Sequence, residues 1–316
     1  MLKNLALLIS TILILIQVGP VSAFSGKPQV LAFLSANVSP YEKALNGFRM
    51  TCDCAVRKIV LSEIDPYFDV SNEIEATRPD LLLAVGPEAL ARLKTKAKNI
   101  RDLPIVYMMV LDPEPLISVR KNITGVRMTT SPDKQLTSFL RAIPIIRKVG
   151  VVYNPARSEE FVAGAMAAAA KAGINLVIKK AEKPEDIPNL VNEMAGKIDA
   201  FWMIPDASVV TSDSLEAILL FSMENMVPVL TFSEKHLEIG ALMSMSVSIN
   251  AAGIGRQAGK MAEKVLRHGT DIALAGAVYA EDGTLIINEL VAHNLNIYIA
   301  SDLQKYKPGT DRVKGE

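Results

Sequence analysis

Aromatic residues and unbalanced charge are both scarce in this chain. Phenylalanine, tryptophan and tyrosine together make up 5% of the residues, and the 34 lysines and arginines are offset by 34 aspartates and glutamates. A protein that binds nucleic acid needs a basic surface for the phosphates and often aromatic platforms for the bases. The composition therefore argues against a nucleic-acid partner.

The motifs of common hydrolases and metalloenzymes are also missing. The histidines, His236, His268 and His293, are far apart, with neither H-x-x-x-H nor H-E-x-x-H spacing, and no G-x-S-x-G elbow occurs. The segment Gly253–Lys260 lacks the Ser or Thr after lysine that a phosphate-binding loop requires, so we interpret its glycines as positions of close helix packing. The sequence predicts no metal, no cofactor and no enzymatic activity.

Cysteine is limited to two residues, Cys52 and Cys54. An oxidising compartment would permit a disulfide between them. However, a single intervening residue makes that ring strained, and in an extended chain the two side chains point to opposite faces. We expect two free thiols at a helix–strand junction, with a small disulfide as the alternative.

Long hydrophobic runs are confined to the amino terminus. Lys3 precedes the apolar run Leu5–Val18, which Gly19-Pro20 ends, and Val21-Ser22-Ala23 has the small-x-small pattern of a cleavage site. The run is shorter than the ~20 residues that span a bilayer, which argues against an uncleaved anchor. Residues 1–23 are therefore predicted to be a cleaved signal peptide, and the mature protein is expected in the periplasm.

The stretch Lys148–Gly173 is typical of a strand followed by a helix. Its β-branched start predicts a buried strand, which Asn154-Pro155 ends, and Ser158 is the expected N-cap of an alanine-rich helix that finishes at Gly173. Because open α/β sheets bind ligands at the carboxyl ends of their strands, the loop Asn154–Glu159 is a candidate binding loop.

The same alternation of strands and helices runs through two halves of the chain. A length of 316 residues favours two domains, and alternation predicts parallel sheets with right-handed crossovers. The rhythm breaks around Gly125–Ser131, where we expect the boundary. Towards the end, Ala280–Ile287 is predicted to be a hairpin with Asp282-Gly283 as its turn.

Six separated blocks carry a resemblance to a known family. The chain resembles the ABC-transporter substrate-binding proteins that include tryptophan- and other amino-acid-type binding proteins, and the resemblance runs from about Leu31 to Leu303. It implies an α/β fold like that of type I periplasmic binding proteins, with two doubly wound Rossmann-like lobes, a hinge and a ligand cleft. We expect lobe 1 to comprise residues 29–126 and about 250–280, lobe 2 to comprise residues 127–249 and about 281–303, and residues 304–316 to form a flexible tail. The blocks are LPIVYMMVLDPEP, NITGV, VGVVYNPARSEE, KIDAFWMIPDASVV, VPVLTFSEKHLEIGAL and GRQAGKMAEKVLRHG.

The resemblance also implies which strand-end residues line the cleft. Helix N-termini suit a ligand carboxylate, and Asp112 and Asp206 are the best candidates to pair with an ammonium, although aspartates also cap turns. Phe232 could stack on an apolar ligand, whereas Tyr107 and Trp202 lie within predicted strands and are expected in the core. The implied ligand-binding residues are Ser35, Asn37, Gly86, Glu88, Asp112, Pro113, Asn154, Ser158, Glu159, Pro205, Asp206, Phe232, Ser233, Glu234 and Ser246.

Three functions fit these observations. In the first, the protein is a monomer that captures a small polar solute, such as an amino acid, and delivers it to the permease subunits of an ABC importer. In the second, the same fold senses a ligand and acts through a separate receptor. In the third, which the missing catalytic motifs disfavour, it is an exported α/β enzyme.

Overall fold

The structure is a computed structural model that describes residues 26–96, 103–111, 113–117, 121–247, 250–270, 272 and 276–300. The predicted signal peptide, the predicted tail and Asp112 lie outside the described residues. Among the described residues, no helix combines the length and the apolar composition that crossing a bilayer requires.

The first sheet has five parallel strands in the order β2-β1-β3-β4-β5. The apolar runs of β3 and β4 are buried along their whole length, as expected where helices cover both faces of a parallel sheet. The strands are β1 (Gln29–Leu34), β2 (Ala55–Val60), β3 (Leu81–Val85), β4 (Ile105–Val110) and β5 (Ile123–Arg127). The intervening helices are α1 (Ser39–Arg49), α2 (Val70–Thr77), α3 (Pro87–Lys96) and α4 (Glu114–Ile117), with a 3-10 turn at Leu61–Glu63.

The second sheet has six strands in the order β11-β10-β9-β8-β6-β7, and only the pair of β10 and β11 is antiparallel. Its strands are β6 (Lys148–Tyr153), β7 (Asn175–Lys180), β8 (Ala200–Trp202), β9 (Val229–Thr231), β10 (Met243–Ser246) and β11 (Thr284–Ile287). The helices are α5 (Pro132–Ala142), α6 (Pro155–Ala172), α7 (Ile187–Asn192), α8 (Ser212–Asn225), α9 (Lys235–Glu238), α10 (Ala251–His268) and α11 (Glu289–Asn294), with a 3-10 turn at Pro184–Asp186.

The chain passes between the two sheets three times, between β5 and α5, between β10 and α10, and between Val278 and β11. After the second passage, α10 returns to the first half and packs against α1. Val278 then pairs with Val126 beside β5, and β11 pairs with β10. The predicted hairpin at 280–287 is therefore wrong, because its two arms belong to different sheets. Each sheet has apolar clusters on both faces, and the predicted two-lobed α/β fold is confirmed.

Glycines bring α1 and α10 into close contact. A Cβ atom on Gly255 would overlap the carbonyl oxygen of Ala44, and one on Gly259 would overlap the hydroxyl of Thr51. That hydroxyl donates to the carbonyl oxygen of Arg256 at 2.8 Å, which joins the end of α1 to α10. The interpretation of these glycines as packing positions is confirmed.

The two cysteines form a disulfide at the end of α1. The expectation of free thiols is wrong because residues 50–54 make an irregular turn rather than an extended segment. The alternation of side chains that separates neighbouring positions in a strand does not apply there. The Cα atoms of Cys52 and Cys54 are 5.4 Å apart, within the range that a disulfide bridges.

Candidate functional site

A cleft between the two lobes contains about 420 Å³ of empty space, which includes open solvent. Both lobes contribute to its wall at the carboxyl ends of parallel strands, the position at which α/β sheets bind ligands. Residues after β4 and at the end of β5 line one side, and the first turns of α6 line the other. The lining residues are Leu111, Pro113, Arg127, Thr129, Arg157, Ser158, Glu160, Phe161 and Pro205.

A bulge in β4 sets the direction of the first cleft loop. The pairing of β4 with β5 shifts register between Tyr107 and Val110, and Met109 between them has a φ of 61°. A bulge bends its strand, and a left-handed backbone at a residue other than glycine stores strain that is common at binding sites. The chain leaves this bulge directly into Leu111 and Pro113, both of which line the cleft.

The helix α6 begins earlier than its sequence predicts. Asn154 is the N-cap, and its Oδ1 accepts a hydrogen bond from the amide of Ala156 at 2.9 Å. Pro155 takes the first helical position, which its fixed φ favours. The prediction of Ser158 as N-cap is therefore wrong. Ser158 lies inside the helix, where it is buried and lines the cleft.

Asp206 links the start of α6 to the loop after β8. Its Oδ2 accepts hydrogen bonds from the amide of Asn154 at 2.9 Å and from the hydroxyl of Ser158 at 2.8 Å. Its Oδ1 accepts from the amide and the hydroxyl of Ser208 at 3.0 and 2.6 Å. The residue is only 2% exposed, and four donors occupy the lone pairs of its carboxylate. Asp206 therefore positions the cleft wall, which differs from the predicted contact with a ligand ammonium.

Arg127 brings a buried positive charge to the cleft. Its Nη2 lies 3.1 Å from Oε2 of Glu160 on α6, and its Cζ lies 5.3 Å from the centre of the Tyr279 ring. Sequence reasoning missed this residue. The available signal was an arginine at the end of the apolar strand Ile123–Arg127, because arginine is rarely buried without a partner.

An aromatic cluster supports the wall of the cleft. The ring of Phe161 meets Trp202 edge-on at 5.8 Å and Tyr279 at 6.3 Å. The indole nitrogen of Trp202 donates to Oε1 of Gln135 at 3.1 Å, and the amide of Gln135 donates to Oγ1 of Thr129 at 2.8 Å. Trp202 is fully buried, so its predicted core position is confirmed, and its contacts join the cleft wall to the first passage between the lobes.

Two of the predicted ligand-binding residues, Ser35 after β1 and Gly86 after β3, lie next to each other. Ser35 accepts a hydrogen bond at Oγ from the amide of Ala89, at the start of α3, at 3.0 Å. Gly86 has a φ of 93°, and a Cβ there would collide with the side chains of Ser35 and Tyr41. The hydroxyl of Ser35 therefore occupies one of the amides at the N-terminus of α3.

Two further predicted residues have partners on the surface of lobe 1. The side-chain amide of Asn37 donates a hydrogen bond through Nδ2 to Oε1 of Glu63 at 2.6 Å. Glu88 accepts from Nε of Arg92 at 2.8 Å, one helical turn away. Neither Asn37 nor Glu88 is among the residues that line the cleft.

The remaining predicted residues belong to lobe 2 and also lie outside the cleft lining. The ring of Phe232 contacts His236 edge-on at 5.1 Å, and burial lowers the pKa of His236. The carbonyl oxygen of Ser233 accepts a hydrogen bond from the amide of His236. Glu234 immediately precedes α9, and Ser246 is buried at the end of β10. Of the predicted residues that the structure describes, Pro113, Ser158 and Pro205 come together around the cleft.

Glu159 points away from the cleft to a buried phenol. Its Oε2 accepts a hydrogen bond from the hydroxyl of Tyr153 at 2.8 Å. Burial, followed by this bond and the nearby negative charge, raises the pKa of Tyr153 to about 12. The folded state therefore favours the neutral phenol, and this contribution to stability is complete below the ordinary pKa of about 10 and disappears as the pH rises through about 12.

An alkaline titration tests this arrangement. We expect the ultraviolet absorbance of the tyrosinates to include a component that appears about two pH units late, and Tyr153→Phe should reduce this component by one tyrosine. Tyr67→Phe is the control, because Tyr67 is exposed and its substitution should leave the late component intact. A wild-type curve without a late component would contradict the buried bond to Glu159.

Comparisons with known proteins agree with the architecture. The model of the family described as ABC transporter substrate binding protein matches residues 62–310. A tyrosine-binding protein of Clostridioides difficile strain R20291 is 24% identical over 255 residues, which cover 78% of this chain and 71% of the relative.

Two solved structures share the fold. The ligand-free, open structure of a substrate-binding protein with adhesive properties from Clostridium difficile has a TM-score of 0.62 and 22% identity, covering 89% of this chain and 99% of the other. A domain from Streptococcus pneumoniae in complex with L-Trp has a TM-score of 0.55 and 19% identity, and the match covers 89% of this chain and 100% of the other.

Proposed function

The chain belongs to the ABC transporter substrate-binding protein family, and we propose that it captures an amino acid with an apolar side chain and delivers it to the permease of an ABC importer. The observation that carries this proposal is the composition of the cleft. A buried guanidinium from Arg127 faces a wall that includes Leu111, Pro113 and Phe161. Such a cleft suits a small molecule with a charged head and an apolar body. The tyrosine-binding relative and the L-Trp complex support the same class of ligand.

Capture works by closing the two lobes around the solute. A ligand that contacts both lobes stabilises the closed form over the open form by its differential affinity for the two. The three passages between the lobes provide the hinge, and two of them are joined by the bond from the amide of Ala280 to the carbonyl of Thr129 at 3.0 Å. No covalent bond is made or broken, so the proposed role is not enzymatic.

Delivery requires the protein to work outside the cytoplasmic membrane. The apolar run Leu5–Val18 and the cleavage pattern at Val21-Ser22-Ala23 support export. The outer rims of the closed lobes would then meet the permease, which recognises the loaded form.

Thermal unfolding with each of the twenty amino acids tests the proposed ligand class. A ligand at 100 times its dissociation constant should stabilise the protein by ~2.7 kcal/mol and raise the unfolding temperature. We expect aromatic and large apolar amino acids to give the largest shifts, and calorimetry should return a one-to-one stoichiometry. Unchanged unfolding temperatures with every amino acid would reject an amino-acid ligand.

A further inference from the structure

The ion pair that spans the cleft is strongly asymmetric. The side chain of Arg127 is 11% exposed, whereas that of Glu160 is 76% exposed. A buried charge is stable only with a partner, whereas an exposed carboxylate loses little when it returns to water. Glu160 can therefore leave the pair easily, provided that another anion takes its place beside Arg127.

The surroundings of the pair favour an incoming anion. The charged residues that line the cleft are Arg127, Arg157 and Glu160, so that arginines outnumber acids among the described lining residues. The positive end of the 18-residue helix α6 adds to the same potential. Asp206, the buried acid nearby, already accepts four hydrogen bonds and offers no site to a cation.

The shape of the site selects a carboxylate on an apolar body. A guanidinium binds a carboxylate through two parallel hydrogen bonds, a geometry that a lysine cannot reproduce. The side chains of Leu111, Pro113, Phe161 and Pro205 line the same cleft and provide apolar surface for the rest of the molecule. Phe161 is held edge-on by two neighbouring aromatic rings, so this surface is preorganised.

We propose that Arg127 is the carboxylate receptor of the cleft, and that Glu160 occupies it until the carboxylate of an apolar or aromatic ligand displaces Glu160. The inference rests on the proposed function, because it defines the ligand class of the same cleft. The displaced Glu160 competes with every ligand that places a carboxylate beside Arg127 and lowers the apparent affinity of that ligand. Since Arg127 belongs to β5 and Glu160 to α6, the exchange also replaces a protein contact between the lobes by one made through the ligand.

Calorimetry with matched acid and amide probes tests the exchange. The probes are L-tyrosine, L-tryptophan and 3-phenylpropionate, together with their carboxamides, which lack the negative charge. For the wild-type protein, we expect the acids to bind at least about 30-fold more tightly than their amides, as is typical for a partly desolvated charge pair. The third probe has no ammonium group, so it separates carboxylate recognition from amino-acid recognition.

Substitutions of the two partners complete a thermodynamic cycle. Arg127→Gln should weaken binding of the acids about 30-fold or more and leave the amides unchanged, so that the preference between acid and amide disappears. Glu160→Gln should tighten binding of the acids about 3- to 10-fold without affecting the amides, because a competitor is removed. Arg49→Gln, on the exposed face of α1, is the matched control and should change neither.

The outcomes separate this inference from the proposed function. Acids and amides that bind the wild type equally, or an Arg127→Gln protein that keeps the preference, would overturn the carboxylate receptor while amino-acid capture remains. If Arg127→Gln does not fold, the wild-type and Glu160→Gln titrations still decide, and unchanged acid binding in Glu160→Gln would refute the exchange. Binding of 3-phenylpropionate but of no amino acid would support the receptor and reject the proposed amino-acid ligand.

Discussion

Replacing Asp206 by alanine is expected to lower the free energy of unfolding by about 3 kcal/mol. The substitution leaves the partly buried amides of Asn154 and Ser208 and the buried hydroxyl of Ser158 without their acceptor, and each unsatisfied group costs about 1–3 kcal/mol. The start of α6 would also lose its link to the loop after β8, and amino-acid affinity should fall with it. Urea unfolding followed by the fluorescence of Trp202, the single tryptophan, measures the change.

A substitution that removes a single hydrogen bond from the same network is the control for Asp206→Ala. Ser208→Ala removes one hydroxyl donor but keeps the amide bond of residue 208 to Asp206, so we expect a loss of about 1 kcal/mol. Amide hydrogen exchange should accelerate at residues 154 and 208 in Asp206→Ala only. If Asp206→Ala abolished ligand binding at nearly wild-type stability, Asp206 would be the direct ammonium contact that the sequence suggests.

Replacing Gly255 by alanine is expected to lower the free energy of unfolding by about 2–3 kcal/mol. Alanine is the better helix former by about 1 kcal/mol, so helix propensity alone predicts the opposite sign. The new Cβ atom would overlap the backbone carbonyl of Ala44, and a backbone cannot rotate away as a side chain can. Helices α1 and α10 must therefore separate, and overpacking of this kind costs about 1–3 kcal/mol or more.

The same change in another helix separates packing from propensity. Gly164 lies on the exposed side of α6, and a Cβ there would approach only the ring of Pro132, at 3.3 Å. We expect Gly164→Ala to alter the free energy of unfolding by less than about 1 kcal/mol, in either direction. Equal effects of Gly164→Ala and Gly255→Ala would mean that the contact between α1 and α10 does not depend on Gly255.

The residues that line the cleft are hard to predict from the sequence, because a loop and a helix place different residues of the same segment at the cleft. If Asn154–Glu159 were a loop, the residues nearest to the end of β6 would line the cleft. In the structure the segment is helical from Pro155, and residues three and four apart share a face. Arg157, Glu160 and Phe161 therefore line the cleft together, whereas Glu159 turns back to Tyr153.

The architecture can be predicted from local composition, because an uninterrupted apolar run indicates a strand that is buried on both faces. The uninterrupted apolar runs Leu81–Val85 and Ile105–Val110 predict central strands, and their alternation with helices predicts two mostly parallel sheets. Which charged side chains contact each other depends on the tertiary fold. Arg127 and Glu160 are separated by 33 positions and belong to different lobes, so their contact depends on the path of the chain between the lobes. No local sequence pattern encodes that path, because it depends on how the two sheets are arranged relative to each other.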